Sequence, residues 1–211
     1  MIKVANHKLV YEKKYIAKGY TTIAGMDEVG RGPLAGPVTA ACVILPLDEI
    51  IDGVDDSKKI RKKLIYSLAQ EIEQKAISVG VGWVDNKYID EHNILVATKL
   101  AMLRAIENMS IKPEILLVDA VKGLETIIPV ESIIRGDSHS YLIGAASIVA
   151  KAHRDRFMIE MAKTYPGYGF ETNVGYGTKQ HRDALQKLGP IPLHRKTFIR
   201  SIYYEQQKIR F

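Results

Sequence analysis

The sequence predicts an α/β fold in which a mixed five-stranded sheet is flanked by helices and followed by a C-terminal helical extension. Three observations support this fold class. Strand-like segments are concentrated early in the chain, helical periodicity dominates its end, and the apolar run at 115–118 is typical of a strand buried on both faces. We expect a single domain over residues 1–211, with its core at about 20–165 and the helical extension at about 166–211.

Five segments have the composition of strands. The first, 20–30, alternates β-branched and small residues, and 37–45 is expected to be its antiparallel partner across the glycine-rich turn GRGPLAG. Because Pro129 cannot donate a ladder hydrogen bond, the last strand is placed at an edge of the sheet. The third to fifth strands are expected at 77–84, 112–121 and 125–132.

Helical spacing of apolar residues, together with capping residues, predicts six helices. Gly19 closes the first helix, and Ser57, Asn93 and Asp137 are expected N-terminal caps of the second, third and fourth. Proline at position 166 ends the fourth, which is the longest. The helices are expected at 9–19, 57–76, 93–109, 137–165, 178–189 and 194–209.

Composition excludes several classes of protein. Apolar residues make up 46% of the chain and charged residues 26%, which is typical of a soluble globular protein. No apolar run reaches the roughly 20 residues needed to span a bilayer, and the first residues do not resemble a signal peptide. The single cysteine, Cys42, excludes an internal disulfide and is expected to be a buried apolar residue. We therefore expect a cytoplasmic protein. Its formal charge of +6 favours an anionic partner, most commonly nucleic acid.

Acidic residues occur where the predicted strands end. Asp27 and Glu28 precede the glycine-rich turn, and Asp119 directly follows the apolar run of the fourth strand. Polar groups at the carboxyl end of a buried strand commonly line a ligand crevice. Since adjacent strand residues point to opposite faces, Asp27 and Glu28 reach one site only if the pleat breaks, which Gly30 and Gly32 permit.

Together with Asp137, these acids suggest a metal site. Ionised carboxylates are costly to bury unless a cation serves several of them. Oxygen ligands without a thiol or histidine cluster favour Mg²⁺ or Mn²⁺, and in a basic chain such a site is typical of two-metal phosphodiester hydrolysis. The residues alone leave one alternative open, in which the four acids act independently as helix caps and in surface ion pairs.

Two nucleotide-binding motifs are excluded. A P-loop requires GxxxxGK[ST], whereas GMDEVGRG has neither the lysine nor the hydroxyl residue. A dinucleotide fingerprint requires GxGxxG at the start of a helix, whereas GRGPLAG has a different spacing and is interrupted by Pro33.

Seven motifs follow one another between about Thr21 and Thr197. They are GMDEVGRGPLAGPV, DDSKK, HNILVATKLAM, LLVDA, GDSHSYLIGAASIVAKAHRDR, YPGYGFETNVGYGTKQH and GPIPLHRKTF. In number and order these motifs resemble the ribonuclease HII family, and the segment before the first motif resembles its bacterial members. The departure at 144–147, where GAAS replaces the usual three alanines before Ser147, is conservative.

This resemblance implies a ribonuclease H-like fold and an enzyme that hydrolyses the RNA strand of RNA–DNA hybrids and cuts 5′ to a ribonucleotide embedded in duplex DNA. It implies 5′-phosphate and 3′-hydroxyl products, and a role in removing misincorporated ribonucleotides and RNA primers. By resemblance, Asp27 bridges two Mn²⁺ or Mg²⁺ ions, Glu28 and Asp119 help to hold one, and Asp137 helps to hold the other. The family's catalytic acids fall on Asp27, Glu28, Asp119 and Asp137.

The resemblance also implies substrate-binding positions. Lys58 is expected to reach a phosphate, and the alternative is an exposed lysine without a role. Tyr176 fits the tyrosine that senses the RNA–DNA junction, whereas its rival Tyr168 is expected to serve in packing. The family's junction-contacting loop falls on Gly30, Arg31 and Gly32.

The residues argue against two other identities. A non-catalytic module that binds hybrids or junctions is the alternative function, but a pure binder gains nothing from four acids that repel phosphate. The related ribonuclease HIII has lysine in place of Arg31, glutamate in place of Asp137 and an additional N-terminal domain, whereas about 20 residues precede the first strand here. We expect a monomer that binds RNA–DNA hybrid and ribonucleotide-containing duplex DNA, and no membrane.

Three further residues are expected to have structural roles. Asp155 lies 18 residues beyond Asp137, roughly 27 Å along a helix, so we expect it to pair with a neighbouring arginine. His139 is expected to face solvent, with orientation of water or a leaving group as the alternative. Trp83 is expected to pack in the core rather than to stack on a base.

Overall fold

The computed structural model describes residues 6–58 and 60–204, which contain a single five-stranded sheet. Its strands are β1 (Ile23–Val29), β2 (Val38–Ile44), β3 (Ser78–Val84), β4 (Ile115–Asp119) and β5 (Val130–Ile133). Their order across the sheet is β3-β2-β1-β4-β5. The β1–β2 and β2–β3 pairs are antiparallel, and the β1–β4 and β4–β5 pairs are parallel. The predicted mixed sheet is thus confirmed, with the fifth strand at an edge.

Eight α-helices accompany the sheet in the described residues. They are α1 (Val10–Ile16), α2 (Lys62–Lys75), α3 (Asn86–His92), α4 (Ile94–Glu107), α5 (Gly136–His139), α6 (Tyr141–Thr164), α7 (Phe170–Asn173) and α8 (Lys179–Leu188). A 3₁₀ turn, Asn6–Leu9, precedes α1, and a π-helical turn, Arg200–Tyr204, ends the described chain. None of the helices in these residues has the length and hydrophobicity of a membrane-spanning segment.

Helices α6 and α4 pack on opposite faces of the sheet. Alternate side chains of β1 point to opposite faces of the sheet. Ile23 packs in the core beside α6, whereas Ala24 and Met26 pack in the core beside α4. A Cβ atom at Gly25 would lie 2.0 Å from the backbone carbon of Leu142 in α6, so glycine is what allows this close approach. The close contact fixes β1 against α6 and therefore also positions α5, which directly precedes α6.

Most of the predicted elements before the extension are confirmed. Helices α1, α2 and α4 fall within their predicted segments, and Asn93 caps α4 by accepting hydrogen bonds from the N–H groups of Leu95 and Val96. Cys42 is buried in β2, as expected. Helix α3, which the side chain of Asp85 caps, has no counterpart in the sequence prediction.

The prediction that Ser57 caps the second helix is wrong. Helix α2 begins at Lys62, and the preceding Arg61 makes no capping hydrogen bond through its side chain. Ser57 is instead buried, and its hydroxyl accepts a hydrogen bond from the hydroxyl of Ser147 at 2.7 Å. Ser57 therefore ties the loop before α2 to α6.

The single helix predicted over 137–165 is in fact two helices. Between α5 and α6 the backbone of Ser140 is extended, with φ −122° and ψ 131°. The Ser140 hydroxyl caps α6 by accepting from the N–H of Ile143, and it donates to the buried carboxylate of Glu12 at 2.6 Å. Asp137 therefore lies inside α5, and its predicted role as the cap of the long helix is wrong.

The C-terminal extension is less helical than predicted. Helix α8 confirms the helix expected at 178–189. The helix expected at 194–209 is wrong over most of its described part, where helical backbone begins only with the π-helical turn. Residues 205–209 of that prediction lie outside the described residues.

Candidate active site

Three aspartate side chains converge near the carboxyl ends of β1 and β4. One carboxylate oxygen from each of Asp27, Asp119 and Asp137 lies within 4.8 Å of the other two. Asp27 and Asp137 are buried, and Asp119 is half-buried. The structure thus brings three of the four predicted acids into one group.

Strand pairing explains how these acids meet. Strands β1 and β4 are parallel neighbours, and extending their register by one residue sets Asp27 beside Asp119. The Oδ1 atom of Asp119 accepts a hydrogen bond from the N–H of Gly136 at 2.7 Å. Because Gly136 is the first residue of α5, this bond anchors the helix that carries Asp137 to the end of β4.

Glu28 lies outside the group of three. Its oxygens are not among those that meet there, but Glu28 lies near enough for its charge to raise the pKa of Asp27 and for the charge of Asp119 to raise its own pKa. Its Oε1 accepts a hydrogen bond from the Arg31 guanidinium at 3.2 Å, whereas its Oε2 is buried and has no hydrogen-bond partner among the described residues. The role of Glu28 as a ligand stays a prediction, and its unpartnered oxygen fits a cation.

The electrostatics of the group also fit a cation. Burial raises the pKa of Asp27 well above its ordinary value of 3.8, and the charges of Glu28 and Asp119 raise it further. Burial likewise raises the pKa of Asp119 and that of Glu28, although Arg31 opposes the rise at Glu28. Crowded, buried carboxyl groups favour either protons or a cation, and a set made only of oxygen atoms suits a hard divalent ion.

Lys58 borders the carboxylate group. Its ammonium nitrogen lies 3.2 Å from Oδ2 of Asp137, and its side chain is 78% exposed. A flexible side chain anchored at one end can turn from Asp137 toward an approaching anion. Its contact with a phosphate stays a prediction.

The loop after β1 contains two glycines with different surroundings. Gly30 has φ +92°, and a Cβ atom there would lie 2.2 Å from Nε of Arg154. Gly32 is not in the left-handed region, and the nearest atom to a Cβ there belongs to the Tyr176 ring, at 4.0 Å. The fold therefore requires glycine at position 30 but leaves open space at position 32.

The open space at Gly32 is bordered by Tyr176. This tyrosine is 38% exposed, and its ring faces the guanidinium of Arg154 and the ammonium of Lys151, each 5.7 Å from the ring centre. Tyr168 is buried, and its hydroxyl donates to a backbone carbonyl at 2.7 Å. The packing role predicted for Tyr168 is confirmed, and the contact of Tyr176 with a substrate stays a prediction.

Comparison with known proteins decides the family. The family model described as Ribonuclease HII matches residues 24–204. The chain belongs to the ribonuclease HII family. Ribonuclease HII of Bacillus cytotoxicus (strain DSM 22905 / CIP 110041 / 391-98 / NVH 391-98) is 54% identical over 191 residues, which cover 89% of this chain and 72% of that protein.

Solved structures support the same family. Ribonuclease H2 from Pyrococcus horikoshii OT3 matches with a TM-score of 0.75 and 25% identity, over 89% of this chain and 100% of that one. Ribonuclease HII in the PCNA:RNase HII complex from Archaeoglobus fulgidus matches with a TM-score of 0.72 and 29% identity, over 83% and 94% of the two chains. The predicted ribonuclease H-like fold is confirmed, and the protein is a ribonuclease H, a hydrolase.

Two buried arginines support the loop after β1 in this ribonuclease HII, which we call the glycine loop (residues 30–32). Neither arginine is among the site residues predicted from the sequence. Arg154 and Arg195 are both fully buried, and their guanidinium groups donate to backbone carbonyls. They lie in the motifs HRDR and HRKTF, but backbone partners leave no trace in a sequence. The acceptors are the carbonyls of Ala35, Pro37 and Val174 for Arg154, and those of Gly30, Arg31 and Gly36 for Arg195.

The three residues expected to have structural roles are placed as follows. His139 is exposed, as expected, and its Nδ1 lies 2.8 Å from a backbone carbonyl. Asp155 forms an ion pair with Lys151 at 2.9 Å, so the predicted pairing with an adjacent arginine is wrong. The (i, i+4) spacing within α6 explains this choice. Trp83 is half-buried and packs against the ring of Phe157.

Proposed function

We propose that this ribonuclease HII cleaves the RNA strand of RNA–DNA hybrids and also cuts 5′ to a ribonucleotide embedded in duplex DNA. The observation that carries the proposal is the closeness of the carboxylate group to the open glycine loop. Gly32 is five positions after Asp27, so their backbones lie at most about 18 Å apart. A phosphodiester bond over the carboxylates would have the adjoining sugars within reach of Gly32 and Tyr176.

The metal ligands in this proposal are Asp27, Asp119 and Asp137, with Glu28 contributing through its unpartnered Oε2. The ions would be Mn²⁺ or Mg²⁺, two in the catalytic complex. Such a pair of ions would supply an activated water and stabilise the leaving oxygen, which agrees with the expected 5′-phosphate and 3′-hydroxyl products. The carboxylates would be close together before any ion binds, because β1, β4 and α5 hold them there despite their mutual repulsion.

The surroundings of the carboxylates supply the expected contacts to nucleic acid. The ammonium of Lys58 and the guanidinium of Arg31 are both well exposed and carry positive charge toward the phosphates. The ring of Tyr176 offers an apolar surface on which a deoxyribose can rest. A 5′ incision at a ribonucleotide suits removal of misincorporated ribonucleotides and RNA primers, which is the proposed role.

A DNA duplex that contains one ribonucleotide tests this function. We expect a single cut 5′ to the ribonucleotide in Mg²⁺ or Mn²⁺, and no cut in chelator or on a wholly DNA duplex. An RNA–DNA hybrid is the matched positive control, since its cleavage shows that the enzyme preparation is active. Cleavage of the hybrid with an intact ribonucleotide duplex would limit the function to hybrids. Tight binding without any cleavage would favour the non-catalytic junction-binding module.

A further inference from the structure

Two histidines are buried side by side next to the main chain of Tyr176, and neither has a part in the proposed reaction. His181 lies in α8 and His194 in the segment that follows it, with 0% and 2% of their surfaces exposed. Their Nε2 atoms are 3.0 Å apart. The rings of Tyr168 and Phe170 pack against both. Because a charge is costly to bury, such a pair requires hydrogen bonds that suit two neutral imidazoles.

The backbone groups beside this pair determine where each imidazole carries its proton. The N–H of Ile191 donates to Nδ1 of His194 at 2.9 Å, so a neutral His194 carries its proton on Nε2. The carbonyl oxygen of Tyr176 lies 2.9 Å from Nδ1 of His181, and since a carbonyl only accepts, that nitrogen carries the proton. Nε2 of His194 therefore donates to Nε2 of His181. One chain of hydrogen bonds runs from the N–H of Ile191 to the carbonyl of Tyr176.

This chain of hydrogen bonds has no place for an additional proton. A second proton on His181 would set two N–H groups against each other across the 3.0 Å gap. A second proton on His194 would set its Nδ1–H against the N–H of Ile191. Burial lowers the pKa of both histidines, and at His194 the charge of His181 adds to burial and lowers the pKa to about 4. Protonation of either residue therefore breaks the chain.

The groups around the pair do not offer a counter-charge for an imidazolium. Neither imidazole forms an ion pair with a carboxylate in residues 6–58 and 60–204. Tyr168, which packs against both rings, donates its hydroxyl to a backbone carbonyl. The charged side chains of α8 are exposed, and Arg195, which follows His194, donates to the glycine loop. His194 also borders a cavity whose charged lining consists of two acids and two bases, Asp90, Glu91, Lys87 and Lys196.

The pair joins two segments that border the open space at Gly32. His194 forms an antiparallel bridge with Ala35, which ties it to the chain that follows the glycine loop. His181 holds the carbonyl of Tyr176, whose ring is the nearest group to a Cβ atom at Gly32. The hydrogen bond between the two imidazoles therefore connects the chain after the glycine loop to the residue whose ring lies across the open space.

We propose that His181 and His194 are a pair of positioning residues that hold Tyr176 beside Gly32, and that they do so only while both imidazoles are neutral. This inference rests on the proposed function, in which Tyr176 meets a deoxyribose, and adds the device that keeps the tyrosine in place. Burial lowers the pKa of each histidine below its usual 6.5. The contribution of the pair is therefore complete above about pH 6.5 and is lost as the pH falls through the folded-state pKa values.

Two substitutions of His181 separate its hydrogen bond from its packing. Phenylalanine fills the space of the ring but cannot donate to the carbonyl of Tyr176, whereas asparagine can place an amide N–H near the position of Nδ1. The affinity for a DNA duplex with one ribonucleotide is measured in chelator, so that it is not cut. We expect His181→Phe to lower this affinity about tenfold, the size of one lost hydrogen bond, and His181→Asn to restore most of it. Wild-type affinity in His181→Phe would overturn the inference.

A double-mutant cycle shows whether the effect passes through Tyr176. In a Tyr176→Ala background the ring is already absent, so His181→Phe should weaken binding less than about twofold further. Met102→Ala is the control for lost stability, because Met102 is fully buried in the core beside α4, on the other face of the sheet from α6. It should melt at a lower temperature than wild type and bind equally well. Additive losses in the double variant, or weaker binding by Met102→Ala as well, would overturn the inference.

A second measurement uses only the wild-type protein, in case His181→Phe does not fold. Nitrogen-15 chemical shifts at pH 7.5 should place the proton of His194 on Nε2 and that of His181 on Nδ1. As the pH is lowered, the ring signals of Tyr176 should shift together with protonation of the pair. The opposite proton positions, or unchanged Tyr176 signals while the pair titrates, would overturn this inference alone. An enzyme that neither cuts nor prefers the ribonucleotide duplex would overturn the proposed function instead, whatever the imidazoles show.

Discussion

The Asp137→Asn variant is expected to bind the ribonucleotide-containing duplex as the wild-type protein does, and to cleave it on the order of a thousandfold more slowly. Asparagine keeps the size of the side chain but removes the charge that a divalent ion requires. Since metal ions supply several kcal/mol of transition-state stabilisation, and each 1.4 kcal/mol is about tenfold in rate, a loss of this size follows. Rates under single-turnover conditions and a Kd measured in chelator separate the two effects.

Asp183→Asn is the matched control for this prediction. Asp183 is an exposed aspartate of α8 that pairs with Lys179, and its substitution changes the net charge by the same amount. We expect wild-type cleavage from this variant. Asp137→Asn with more than about a tenth of the wild-type rate would contradict the assignment of Asp137 to the metal site.

A second large effect is expected at Gly32. Gly32→Ala should leave the stability within about 0.5 kcal/mol of wild type, because the added methyl group meets open space and needs no unusual backbone conformation. The same methyl group would occupy the space into which a sugar approaches beside Tyr176. We expect the affinity for the ribonucleotide duplex to fall at least tenfold, or about 1.4 kcal/mol. Thermal unfolding and binding titrations measure the two quantities.

Gly30→Ala should behave in the opposite way. Its positive φ and the 2.2 Å approach of a Cβ atom to Arg154 predict a loss of stability of about 1–3 kcal/mol or more. The two variants thus separate a glycine that the fold requires from one that the substrate requires. Equal destabilisation by both substitutions would contradict the open space at Gly32, and full affinity in Gly32→Ala would show that the substrate does not approach this position.

Much of the sheet and of the carboxylate group is predictable from local sequence. The alternation in β1 and the apolar run of β4 determine where these strands lie, because each pattern reports burial of the strand's faces. The run of β4 ends in Asp119, and its parallel pairing with β1 brings Asp119 beside Asp27. Local sequence patterns are sufficient for these two acids, because Asp27 and Asp119 lie on the strands that the patterns predict.

Other features depend on contacts that a sequence does not record. The break before α6 arises because Ser140 donates to Glu12, 128 residues earlier in the chain. Ser57 fails as a helix cap because it bonds to Ser147 in α6. Arg195 donates to the carbonyl of Gly30, 165 positions earlier. Every residue has a backbone carbonyl, so the sequence gives no sign of which one accepts this hydrogen bond. Long-range hydrogen bonds therefore set the details of the site that propensity and periodicity miss.

The central claim is that the three aspartates are gathered to hold a divalent cation. Because the folded-state pKa of Asp27 is raised above 3.8, its contribution to the stability of the metal-free protein is full at pH values below the unfolded pKa and is lost as the pH rises through the folded pKa. Above that range, the repulsion among the carboxylates opposes folding. A bound cation removes this repulsion and stabilises the folded state by mass action.

Thermal unfolding of wild-type protein and Asp27→Asn, in chelator and in Mn²⁺, tests this claim most directly. In chelator at about pH 8, Asp27→Asn should melt several degrees higher than wild type, at about 2–4 °C per kcal/mol, and the difference should shrink toward about pH 4. Mn²⁺ should raise the melting temperature of wild type and of Asp183→Asn but have little effect on Asp27→Asn. Equal stabilisation of all three proteins by Mn²⁺, or a lower melting temperature of Asp27→Asn in chelator at pH 8, would contradict the claim.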